Sequence, residues 1–171
     1  MVSVHYSYAQ TTVNQFNAIF DGCRVFDNPK PVSDISKLVS YLCDSDDIVL
    51  DFFSGSGTTG HAVLAENANK GARRKYICVQ LPEPLDSGKS EQKIAADFCE
   101  SIGRPKNIAE ITKERLRRVG RKIRADYPGF RGDTGFRVFK LAPSNIRAWE
   151  PDATDLDNSL LKNAEHLVQG R

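Results

Sequence analysis

One stretch constrains this chain more than any other: IVLDFFSGSGTTGHAVLAEN, residues 48–67. Ile48, Val49 and Leu50 form an apolar run rich in β-branched residues, extended by Phe52 and Phe53, and this predicts a strand buried on both faces. Ser54 to Gly57 interrupt the run with two glycines, Gly55 and Gly57, which let a backbone turn tightly and approach a ligand closely. From Thr58 and Thr59 the pattern passes into His61-Ala62-Val63-Leu64-Ala65, a helix opening beside the turn. Strand, glycine turn and helix N-terminus predict a nucleotide-type cradle, because peptide N–H groups and the helix dipole converge there.

Asp51 narrows the ligand. A carboxylate at the strand end repels a pyrophosphate and suits a cationic or donor-rich molecule. Read on Gly55 and Gly57, the turn is neither the phosphate loop G-x-x-x-x-G-K-[ST] nor the dinucleotide fingerprint. The plainer reading is steric, with glycines that only let strand and helix pack.

At 171 residues, 40% hydrophobic and 27% charged, the chain has room for one domain of ordinary size with a sizeable core. No apolar run approaches a membrane span and MVSVHYSYAQ is no signal peptide, so a cytoplasmic protein without a membrane partner is expected. Cys23, Cys43, Cys78 and Cys99 are widely spaced, with no CxxC pair or Cys/His cluster, and read as reduced thiols rather than metal ligands or disulfides. A net charge of +2 is too small to announce a nucleic-acid binder.

Upstream, Val13, Phe16, Ile19 and Phe20 recur at helical spacing after a threonine cap, with Gly22 just beyond. In FDNPKPV, residues 26–32, two prolines fix an extended backbone and hold Asn28 and Lys30 in defined directions. Ile35, Leu38, Val39 and Leu42 form a further helical stripe, ended by an acidic turn at Asp44, Asp46 and Asp47. Downstream, KYICVQL at 75–81 predicts a second strand, parallel to the first through a βαβ unit, and a short helix surrounds Ile94, Ala95 and Phe98. Asn107 and Glu110 form a capping-box-like start to a long helix on which Ile108, Ile111, Leu116, Val119 and Ile123 face inward. The rest of that helix, with Arg115, Arg117, Arg118, Arg121, Lys122 and Arg124, reads as a solvated basic face, DNA phosphate contact being the second reading. GFRVFKL at 135–141 predicts a third strand, and Leu160, Leu161, Ala164, Leu167 and Val168 a last amphipathic helix.

The string D-F-F-S-G-S-G-T-T resembles motif I of amino-methylating DNA methyltransferases, and FDNPKPV resembles the segment that accompanies it. In order, FDNPKPV, VLDFFSGSGTTGHAVL, RRKYICVQLPEP, IAEITKERLRR and GFRVFKLAPSNIRAW resemble the modification subunits of type III restriction–modification systems, which are adenine-N6 DNA methyltransferases. The resemblance runs from about residue 6 to residue 150. It implies an α/β, Rossmann-like S-adenosylmethionine-dependent methyltransferase fold, here partial, with parallel strands in the order 3-2-1 and flanking helices. Residues 1–150 are then the cofactor-binding part and 151–171 a helical extension. It further implies S-adenosyl-L-methionine as cofactor, held by Asp51, Phe52, Phe53, Gly55, Ser56, Gly57 and Thr58, with Phe26, Asn28, Lys30 and Pro31 on its methionine side and Gln80 near the ribose. Many methyltransferases carry an acid where Gln80 stands; an amide still bonds a diol, without charge assistance.

The family's catalytic element, [DNS]-P-P-[YFW], is missing, since no Pro-Pro pair exists in the 171 residues. In that element a polar side chain and a carbonyl hold the adenine amino group while an aromatic ring stacks on the flipped base. The chain is therefore expected to be a C-terminal, cofactor-side part, inactive alone. Its expected partners are DNA through the complete enzyme, a restriction subunit or the missing N-terminal half, and a second copy of itself through an uncovered strand edge. Two other readings are a non-catalytic binding or assembly module that keeps the fold, and a methyltransferase with a different substrate.

Overall fold

A computed structural model of the chain describes residues 9–142 and 154–161. They fall into two compact units, Met1–Gly135 and Phe136–Arg171. Among the described residues the first holds seven elements: α1 (Ala9–Ile19), α2 (Val32–Leu42), β1 (Ile48–Asp51), α3 (Thr58–Lys70), β2 (Lys75–Cys78), α4 (Ser90–Ser101) and α5 (Ile108–Asp126).

β1 and β2 pair in parallel with Leu50 opposite Ile77 and Asp51 opposite Cys78, so the expected βαβ unit forms. Both strands are shorter than their apolar runs. β1 stops at Asp51 because the next peptides fold back: the Phe53 N–H donates to Asp51 Oδ1 at 3.0 Å, a local turn that competes with the ladder. One irregular rung continues beyond, as the Val79 N–H donates to the Asp51 carbonyl and the Ser54 N–H to the Val79 carbonyl.

The expectation of a strand buried on both faces is corrected. Val49, Asp51, Tyr76 and Cys78 lie half-buried on the α3 side, whereas Ile48, Leu50, Ile77 and Val79 are exposed on the other. Pleating sends alternate side chains to opposite faces, and only one face has helices over it among the described residues. The third strand is also corrected. Residues 135–142 form no ladder, Phe139 and Leu141 are 85% and 102% exposed, and the sheet is two-stranded, β1-β2, so the 3-2-1 order lacks its first member. Alternating apolar residues supply only propensity, and a strand exists by exchanging hydrogen bonds with a neighbour. In the second unit residues 156–161 are helical; the rest of the expected last helix lies outside the described residues.

The dense core is helical. Phe16, Phe20, Val25, Ala95, Cys99 and Ile111 cluster where α1, α4 and α5 meet, with Phe26 and Phe98 against them. α5 begins where its sequence signature places it: the Asn107 side chain accepts from the Glu110 N–H at 3.0 Å. The capping is one-sided, since the Glu110 carboxylate turns to Lys113. Ile111, Leu116, Val119 and Ile123 are buried along α5 as expected, and Ile108 is half-buried.

Candidate functional site

β1, the turn at residues 52–57 and the first turn of α3 form the candidate site. Gly55 and Gly57 adopt φ of +50° and +80°, the left-handed region where a side chain is strained, so both are required by the backbone itself. A Cβ on Gly57 would stand 3.0 Å from Thr112 Cγ2 on α5. Gly60 corrects the reading of the motif: counted from Gly55, G-x-G-x-x-G is complete. The third glycine lets α3 close on its neighbours, for a Cβ there would meet Leu116 Cδ2 at 2.8 Å and the Tyr76 ring of β2 at 3.1 Å.

The turn's hydrogen bonds say what it can accept. The Phe53 N–H is held by Asp51, the Ser54 N–H by the Val79 carbonyl, the Gly55 N–H by Gln80 Oε1 at 2.7 Å and the Gly57 N–H by the Ser54 carbonyl. Four amides that could cradle a phosphate are thus already committed. Asp51 is committed too, its second oxygen accepting from Thr59 Oγ1 at 2.5 Å. Gln80, expected near a ribose, pins the turn through Oε1, while its Nε2 donates to the Leu81 carbonyl at 3.1 Å.

The second expected segment lies beside this turn. Thr58 Oγ1 donates to the Lys30 carbonyl at 3.4 Å, and Phe26 Cζ lies 3.6 Å from where a Gly55 Cβ would be. Phe26 and Pro31 are half-buried, Asn28 and Lys30 exposed. Ser56 and Thr58 are buried, and Phe52 and Phe53 stand out at the strand end, Phe53 91% exposed. Behind the turn a cavity of about 190 Å³ is lined by Thr12, Gln15, Phe16, Ile19, Lys30, Val32, His61 and Arg115.

The residue that the sequence reading misses is Arg115. Placed on the solvated face, it is 1% exposed instead. One of its terminal nitrogens donates to the Ser56 carbonyl at 3.2 Å, Ser56 Oγ at 2.8 Å and Thr58 Oγ1 at 2.9 Å. The other lies 3.3 Å from His61 Nδ1, and the guanidinium sits over the Phe16 ring at 5.0 Å. The signal was in the periodicity: Arg115 falls four residues after Ile111 and four before Val119, on the inward stripe. Burial pushes its pKa down to about 9. Burial, and secondarily the charge of Arg115, lower the His61 imidazole to about 3, so that ring is neutral near pH 7. Thr112, also missed, donates from Oγ1 to the Gly55 carbonyl at 2.5 Å.

Of the other cations of α5, Arg117, Arg118 and Arg121 share Glu114, Lys113 reaches Glu110 and Lys122 reaches Asp126. That favours the solvated-face reading over phosphate contact for these residues. Among the described residues no cluster of three or more His, Cys, Asp or Glu could hold a metal, and no helix is long and apolar enough to cross a membrane.

The described residues thus form an α/β unit, a parallel βαβ with a doubly left-handed glycine turn. The chain belongs to the DNA methylase family, whose model matches residues 3–111. It is 34% identical over 150 residues to the Mod subunit of the type III restriction-modification enzyme StyLTI of Salmonella typhimurium, a match covering 81% of this chain and 22% of that protein. It is 32% identical over 157 residues to the EcoP15I Mod subunit of Escherichia coli, covering 91% and 22%. The type II methyltransferase M.KpnI of Klebsiella pneumoniae is 33% identical over 112 residues, covering 66% and 24%. The chain thus spans roughly a fifth of the length of the Mod subunits it matches.

Proposed function

We propose that residues 26–31 and 51–58, with Gln80, form the S-adenosylmethionine cradle of a DNA adenine-N6 methyltransferase of a restriction–modification system. One observation carries this reading. The two segments that the family resemblance assigns to one ligand, separated by nineteen residues in sequence, meet at Thr58–Lys30 and Gly55–Phe26.

The residues fit the group. With four of its amides already bonded, the turn is a poorer nest for a pyrophosphate, and Gly55 beside the Phe26 ring leaves room for close approach of an uncharged or cationic ligand. Gly55, Ser56, Gly57 and Thr58 would form the floor and Phe52 and Phe53 an apolar lip. Asn28, Lys30 and Pro31 would line the methionine side. When bound, the cofactor supplies a methyl group already activated on a sulfonium. This chain's own contribution is then position, which is where much of the rate of such a transfer arises.

Adenine would be held elsewhere, because these 171 residues contain no Pro-Pro-aromatic element. The chain alone is therefore inactive in this reading, a cytoplasmic partner of DNA only within a larger enzyme that includes a catalytic half and a restriction subunit. Calorimetric titration with S-adenosylmethionine tests the cradle. Wild type should bind, and Gly55→Val, still folded by circular dichroism, should not; equal titration of both sinks the reading. Transfer of labelled methyl groups to DNA by this chain alone would refute its inactivity. Restored transfer on adding a polypeptide carrying the missing motif would favour the split enzyme over a relic.

A further inference from the structure

The largest side chain buried in the first unit is a cation with no carboxylate partner among the described residues, and it lies under the glycine turn. Burying a guanidinium that way is costly unless its donors are met by well-placed acceptors. Here the turn supplies three of the acceptors: the Ser56 carbonyl, the Ser56 hydroxyl and the Thr58 hydroxyl surround one terminal nitrogen, His61 lies beside the other, and Nε is buried with no partner among the described residues. The Thr58 oxygen that accepts from Arg115 also donates onward to the Lys30 carbonyl. One line of contacts thus runs from α5 through the turn to the proline-bracketed segment, and Phe16 of α1 closes over the guanidinium from the other side.

We infer that Arg115 is a positioning residue, a planar fork that holds the glycine turn and, through the Thr58 hydroxyl, residues 28–31 in one arrangement. Its use for ligand binding rests on the cofactor reading above, but the tie itself does not. Two features separate it from ordinary core packing. A Met would fill much of the space without the cost of a buried charge. A Lys would keep the charge, but its single ammonium cannot reach the three turn oxygens and His61 together. Thr112 supports the same turn from one helical turn earlier on α5, by donating to the Gly55 carbonyl.

The test uses the full chain and four proteins: wild type, Arg115→Lys, Arg115→Met and Thr58→Val. Two-dimensional ¹H–¹⁵N spectra report the tie without any ligand. In wild type the Arg115 guanidinium protons should be protected from exchange with water. Thr58→Val should expose them and shift the amides of Lys30, Val32 and Ser33, leaving α4 unchanged. Arg115→Lys and Arg115→Met should shift residues 54–59 and Lys30 together. Unprotected guanidinium protons in wild type, or shifts in the turn without shifts at Lys30, overturn the inference.

Titration with S-adenosylmethionine then reads the consequence. Arg115→Lys should bind at least tenfold more weakly than wild type, and Arg115→Met should be no tighter, even if it is the more heat-stable of the two. Wild-type affinity in a folded Arg115→Met overturns the positioning role. A wild type that binds nothing defeats the cofactor reading, and the spectra still decide the tie.

Discussion

Thr59 Oγ1 donates to Asp51 Oδ2 at 2.5 Å, and the Phe53 N–H takes the other oxygen at 3.0 Å, so the carboxylate that ends β1 also shapes the turn after it. Replacing Asp51 with Asn should cost about 1–3 kcal/mol, because an amide offers a donor where the turn supplies one as well. Thr59→Val should cost about as much. The two losses should not add, since both remove one contact. A double-mutant cycle by urea unfolding checks this, and full additivity would show the pair to be incidental.

His61 gives the fold an acid sensitivity of its own. Unfolded, it titrates near 6.5, and folded at about 3, through burial first and Arg115 second. Between those values the unfolded chain binds more protons, so stability is full above pH 6.5 and is lost as pH falls toward 3, at no more than about 1.4 kcal/mol per pH unit. His61→Gln should lose about 1–2 kcal/mol less than wild type between pH 7 and pH 5. Identical losses in paired unfolding curves would count against it.

The glycines separate strain from crowding. Gly22→Ala meets nothing within 4 Å and should cost only its φ of +88°, about 1 kcal/mol. Gly57→Ala adds contact with Thr112 to a similar strain and should cost more. Gly60→Ala has no such φ but would press on Leu116 and Tyr76, an overpacking of about 1–3 kcal/mol. Chemical denaturation of the three should place Gly22→Ala as the mildest.

The sheet face that is uncovered among the described residues predicts association. Leu50 and Ile77 are partners in register and 48% and 49% exposed, with Ile48 and Val79 beside them. Apolar surface of this kind beside a strand edge favours pairing with another copy. Light scattering should show concentration-dependent association of wild type and its reduction in Leu50→Thr/Ile77→Thr. A monomer at every concentration in both would rule it out.

Much was legible in residues 48–67 alone. The strand, the turn and the helix follow from a change of period and from glycines that only a left-handed backbone requires, which are local properties. The Asn107 cap was legible for the same reason, and the parallel pairing of 48–51 with 75–78 because a strand–helix–strand pattern admits few other arrangements. The tertiary structure alone decided what depends on distant neighbours. Among the described residues it left 135–141 without a ladder and one face of β1 uncovered. It also turned Gln80 and Asp51 inward onto the turn, and it moved Arg115 from a basic surface to a buried site beneath Ser56 and Thr58. Local sequence sets which conformations a segment prefers, but whether a charge is tolerated inside depends on the acceptors that a segment fifty-seven residues away brings to it.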